Sequence, residues 1–115
     1  MWIATHPFAY RSGIPVGGYE VIGFDGLFVE WNGIYERTSY KYWDPAEEVF
    51  VASGSRYCYS KIKDNTKAIY WTDLVYRWYI GGSTAAYEDE AAYIASTALT
   101  PPSTGYSDED IELKQ

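Results

Sequence analysis

The sequence predicts an all-β domain, a small antiparallel β-sandwich or partly open barrel with extended N- and C-terminal arms. Three observations carry this expectation. Short runs of alternating apolar residues recur at roughly ten-residue spacing. Turn dipeptides that tolerate positive φ separate several of them. Aromatic residues make up 19% of the 115-residue chain, with 13 Tyr and 5 Trp, and rings of this kind favour pleated, half-buried surfaces. No strand-helix-strand alternation and no internal repeat is present, so a parallel sheet, propeller or solenoid is not expected.

The stretch to residue 17, with Pro7, Gly13 and Pro15, reads as an N-terminal arm or edge strand. Residues 18–99 read as the β-domain. Gly18 to Phe24 is a strand, Asp25-Gly26 a tight turn, and Leu27 to Trp31 its return strand. Asn32-Gly33 is a second hairpin signal, followed by Ile34 to Thr38. Tyr40 to Trp43 falls in a loop whose exit Asp44-Pro45 stiffens. Glu47 to Ala52, a Ser53-Gly54-Ser55 turn and Arg56 to Ser60 form another strand pair; Asp64-Asn65-Thr66 turns into Lys67 to Trp71, and Thr72-Asp73 into Leu74 to Ile80. The Ala-rich segment 84–96 suits helix and strand equally, because Glu88-Asp89-Glu90 and the alanines favour one and Tyr87 and Tyr93 the other. Residues 100–115 read as a Pro-rich, acidic C-terminal arm.

The net charge is −7, and it is unevenly placed. From Thr84 onward Glu88, Asp89, Glu90, Asp108, Glu109, Asp110 and Glu112 face a single base, Lys114, whereas the rest of the chain is nearly neutral. The bases are interleaved with acids, which disfavours nucleic acid, since phosphate binding needs clustered Lys and Arg. No apolar run is long enough for a membrane span, and the first residues carry neither the basic start nor the apolar stretch of a signal peptide, so no membrane association is expected.

Residues for chemistry are few. His6 is the only histidine, set in a proline-adjacent arm, and Cys58 is the only cysteine, placed mid-strand as a small buried hydrophobe. Glu20, Glu30, Glu36, Asp44, Glu47 and Glu48 could supply a glycosidase-like carboxylate pair, but such pairs occur in almost any acidic domain. Asp108-Glu109-Asp110 lacks the glycine-spaced loop of a calcium site and reads as a solvated face. The expectation is a protein without enzymatic activity, cofactor or metal. The aromatics are the stronger signal. Trp31, Tyr35, Tyr70, Trp78 and Ile80 belong inside, while Tyr40, Tyr42, Trp43 and Trp71 are the candidates for a displayed surface that anchors a protein partner or stacks on a glycan. Tyr106, Asp108, Glu109, Asp110, Ile111 and Leu113 are the candidates for an assembly arm that laces into a neighbouring subunit.

Tyr19-Glu20-Val21-Ile22-Gly23, Asn32-Gly33-Ile34-Tyr35, Ile69-Tyr70-Trp71, Trp78-Tyr79-Ile80, Tyr87, and Thr100-Pro101 with Thr104-Gly105-Tyr106 follow one another in a characteristic order. In this the chain resembles a small Asn-Gly-x-Tyr / Trp-x-Ile β-module of phage and other virion structural proteins, met also in some bacterial proteins. Phe24 to Phe28 stands where that module carries small residues. The resemblance implies a non-enzymatic virion structural protein, a phage capsid decoration or a fibre or tail component. Its partners would be other virion proteins and further copies of itself. Made in the host cytoplasm and located in the virion, it would act by protein–protein contact, with carbohydrate binding or adhesion through exposed Tyr and Trp as the alternative.

Overall fold

The structure is a computed structural model that describes residues 13–44, 49–52, 55–73, 75–82 and 90–115. Most of the N-terminal arm and residues 83–89 lie outside these. The described chain is nearly all β, and the partly open barrel is the form the domain takes. A seven-stranded antiparallel sheet curls into a half-barrel. It comprises β1 (Tyr19–Ile22), β2 (Gly33–Arg37), β5 (Tyr59–Lys61), β6 (Asp64–Thr72), β7 (Arg77–Gly82), β8 (Glu90–Ala95) and β9 (Glu112–Lys114), in the order β8-β7-β6-β5-β2-β1-β9. A separate hairpin joins β3 (Lys41–Asp44) to β4 (Val49–Ala52).

Side chains of alternate residues point to opposite faces. One face holds the main core, where Val21, Tyr35, Ile69, Trp78, Ile80 and Ile111 are almost fully enclosed beside Trp31, Tyr59 and Trp71. Tyr35 donates its hydroxyl to the Trp31 carbonyl at 2.8 Å, so its ring is buried with its polar tip satisfied, and burial pushes the phenol pKa up. The opposite face carries a second cluster of Cys58, Ala68, Tyr70 and Tyr79, with Tyr70 and Tyr79 paired across β6 and β7 and their rings 5.6 Å apart. Tyr70 is thus buried as expected, but on the other face from Trp78.

Five expectations are corrected. Leu27 to Trp31 is not a return strand: Gly26–Trp31 forms a 3-10 helix that buries only Trp31. Three apolar residues in succession, Leu27, Phe28 and Val29, cannot share one face of a strand. Asn32 does not turn a hairpin either. Its side chain pairs with the Phe24 backbone, Oδ1 accepting from the N–H at 2.9 Å and Nδ2 donating to the carbonyl at 2.8 Å, and so stands in for a strand neighbour at the base of the loop. Tyr40 to Trp43 leads into and forms β3 rather than a loop, and β4 pairs with β3, not with β5. Asp64 to Thr66 belongs to β6, and the turn before it is Ile62-Lys63, with Lys63 at φ +69°. The described part of the Ala-rich segment, Glu90–Ala95, is a strand on β7; its remainder, 84–89, lies outside the described residues.

The C-terminal segment is extended, as expected of an arm, yet it returns to its own sheet. Trp71 and Trp78 donate their indole N–H groups to the carbonyls of Ser96 and Ala98 at 2.7 and 3.0 Å, and Arg56 donates to Thr97 and Ala98. The chain then crosses the open side of the half-barrel. Ser107 and Tyr93 exchange two hydrogen bonds at the free edge of β8, and the Leu113 N–H on the outer side of β9 reaches the Ser103 carbonyl at 2.9 Å. One strap therefore reaches both edges of the sheet, at Tyr93 on β8 and Leu113 on β9, and its anchors Ser103 and Ser107 can be no more than about 14 Å apart.

Gly23 sits against the turn that leads into β9, at φ +104°, and a Cβ there would lie 1.9 Å from the Asp110 carbonyl oxygen. Gly23→Ala is expected to destabilise by more than about 2 kcal/mol in urea melts, because both the backbone angle and the backbone contact oppose it. A second tie joins the 3-10 helix to β6: the Lys67 ammonium is 2.7 Å from Asp64, 3.7 Å from Glu30 and over the Trp31 ring. Hydrogen bonds from Lys67 and Thr66 hold the Asp64 carboxyl at about 2, below the usual 3.8. A carboxyl depressed in the folded state contributes stability that is complete above its ordinary pKa and lost as pH falls through about 2. Asp64→Asn should therefore flatten the pH dependence of the urea midpoint in that acid range; an unchanged slope would refute the assignment.

Candidate functional site

In an antiparallel sheet successive connections fall at alternate ends. Residues 15–18, 38–40, 55–58, 73–76 and 96–99 thus form one rim, called upper here, and residues 23–32, 62–63 and 108–111 the lower rim. The nine residues of β6 set these rims about 30 Å apart.

On the upper rim, Thr38 N–H donates to the Cys58 carbonyl at 2.8 Å and Cys58 N–H to the Ser39 carbonyl at 2.5 Å. This tie between the end of β2 and the approach to β5 lays Tyr40 on Tyr57, with centroids 4.3 Å apart and planes at 21°. The Arg37 guanidinium also lies over Tyr57, 4.4 Å from its centroid. A Cβ on Gly17 would touch that guanidinium at 3.3 Å, so the backbone next to the exposed Val16 lies against the same group. Tyr40 is 48% exposed and Val16 78%. The hydrogen bond with Tyr57 holds the Tyr40 phenol above its usual pKa. The result is a displayed ring fixed before any partner arrives, on a cationic ground.

The other candidates fall differently. Trp71 is not displayed: it is buried, with Arg56 stacked 3.6 Å from its ring centroid and Tyr76 tilted against it. Period-2 placement on a long central strand explains this, since Ile69 and Trp71 share the core face. Tyr42 and Trp43 stand opposite Val51 and Phe50 in the β3–β4 register, and their side chains lie outside the described residues. Of the arm residues, Tyr106, Ile111 and Leu113 are buried in this chain's own core, and the Tyr106 hydroxyl donates to the Pro102 carbonyl at 2.8 Å. They are used to close the barrel. Asp108, Glu109 and Asp110 stay near the surface on the lower rim, where Asp110 adjoins Gly23.

That rim also holds the exposed apolar tip of the 3-10 helix. Leu27 is 93% exposed, Val29 58% and Phe28 47%, flanked by Asp25 and Glu30. Arg37, Lys41, Arg56, Arg77 and Lys114 mark the upper end against Glu20, Glu36 and Asp73, whereas Asp25, Glu30, Asp64, Asp108, Glu109, Asp110 and Glu112 mark the lower end against Lys61, Lys63 and Lys67. The described chain is electrically polar along its strands. An open cleft of about 470 Å³ between Glu36 and the β5–β6 turn is lined by Ser60, Lys61, Ile62, Lys63, Asp64 and Asn65.

Sequence reasoning missed the Arg37–Tyr57 partnership, because the two are far apart in the chain and meet only through the β2–β5 pairing. It missed the Leu27 tip as well, although three consecutive apolar residues bounded by acids were a signal against a strand. Among the described residues no group of three or more His, Cys, Asp and Glu side chains is placed to hold a metal ion, and no helix is long and apolar enough to cross a membrane. Comparison with protein-family models, with curated proteins and with solved structures finds no match to this chain.

Display and burial separate the two aromatic candidates energetically. Trp71→Ala is expected to cost about 3–5 kcal/mol in urea melts, and Tyr40→Ala less than about 1.5 kcal/mol, since only a half-exposed ring stack is lost. Equal losses would contradict this arrangement.

Proposed function

We propose that this chain is a non-enzymatic structural protein of a virion, a phage capsid decoration or fibre or tail component, that acts through protein–protein contact on its upper rim. The observation that supports this reading most is the Tyr40–Tyr57–Arg37 stack. Tyr and Arg are the side chains enriched at the energetic centres of interfaces, and a ring already immobilised loses little entropy on binding. The virion setting is supported by the sequence resemblance, and no cofactor or metal enters the reading. Carbohydrate binding is the second reading, favoured by the exposed face of Tyr40 beside a guanidinium. Against it, Tyr40 and Tyr57 stack on each other rather than lying side by side as a platform, and Trp71 is enclosed.

Immunoblotting of density-banded particles from the source culture tests the first reading. The chain is expected to band with particles in constant stoichiometry; recovery only in the soluble fraction would overturn it. A glycan array with the wild type and Tyr40→Ala tests the second, which predicts binding lost in the variant.

A further inference from the structure

We propose that the upper rim of one copy docks on the lower rim of the next, so that the chain self-associates head to tail. This inference rests on the reading of assembly by protein contact and names the partner of that same face: a second copy. Both rims expose apolar side chains, Val16 and Tyr40 above and Leu27 and Val29 below, and the charges around them are opposite in sign. Arg37 beside Tyr40 would face Asp25 beside Leu27 across such a contact, with Glu30, which has Lys67 at 3.7 Å, on the flank.

A two-fold contact of one rim with itself is disfavoured by the same distribution, since it sets Arg37 against Arg37, or the acidic rim against itself; an antiparallel side-by-side pair would match unlike rims, but it closes at two copies and is told apart by mass. Strand addition is disfavoured too, because the strap 103–107 already hydrogen-bonds both edges of the seven-stranded sheet. Docking of one rim on the unlike rim of the next copy is a heterologous contact, which propagates into a filament or closes into a ring.

The test uses two variants, each altered at one rim. Leu27→Lys alters the lower rim, and the double variant Val16→Ser, Tyr40→Ala alters the upper rim. Masses are measured by light scattering from about 1 to about 200 µM, at low and at high salt. The wild type is expected to gain mass beyond that of a dimer with concentration and to lose it with salt; a wild type that stops at a dimer would overturn the head-to-tail contact. Each variant alone should remain monomeric, its association weakened at least about tenfold. An equimolar mixture should give a dimer and stop there, because it retains one intact upper rim and one intact lower rim. Circular dichroism checks folding, and Val29→Lys replaces Leu27→Lys if the latter unfolds.

A wild type that stays monomeric throughout would overturn the inference, as would a mixture that yields no dimer while the wild type associates. Neither outcome bears on whether the chain bands with particles, so a failure of the head-to-tail contact and a failure of the virion reading are told apart.

Discussion

The half-barrel depends on one constraint: a curled seven-stranded sheet has two edges, and both must find hydrogen-bond partners or invite other chains to supply them. Among the described residues, 96–107 reach both of those edges. The two indole N–H groups and Arg56 fix where the strap leaves β8, and the Ser107 and Ser103 bonds fix where it crosses. Pro101 and Pro102 suit this path because they donate no N–H and hold the chain extended. Once the strap is seated, Tyr106, Ile111 and Leu113 have no position but the core, and β9 no neighbour but β1.

The many tyrosines follow from the same architecture. A single-layered curved sheet offers two faces to cover, and a ring with a polar tip can fill a core while its hydroxyl reaches a rim carbonyl, as Tyr35 does with Trp31 and Tyr106 with Pro102. Arg56 on Trp71, Arg37 on Tyr57 and Arg77 on Tyr93 extend this, placing guanidinium groups over rings. These arginines lie at the upper rim, because Arg37 ends β2 there, Arg77 begins β7 there and Arg56 stands in the approach to β5. The charge polarity of the molecule is in part a by-product of how its rings are covered.

That polarity bears on function because the apolar surface is divided the same way. Exposed aliphatic residues are ordinary when scattered. Here Leu27, Phe28 and Val29 are gathered on one short helix among acids, and Val16, Tyr40, Val75, Tyr76 and Leu99 are spread over the opposite rim, where most of the arginines lie. A molecule built in this manner has distinguishable ends, which suits directional contact better than a uniform coat.

The sequence by itself determined the class of fold, the interior role of Trp31, Tyr35, Tyr70, Trp78 and Ile80, and the burial of Cys58, because period-2 alternation and ring content act locally and are written in consecutive residues. It also showed the segregation of acids toward the C-terminus. Only the tertiary structure decided that Trp71 is enclosed while Tyr40 is displayed, that β4 leaves β5 for β3, and that the tail is a closing strap. Those outcomes turn on which strands become neighbours and which edges remain open, and the pairing of residues such as Arg37 with Tyr57 or Tyr93 with Ser107 arises from chain crossings that no local pattern encodes.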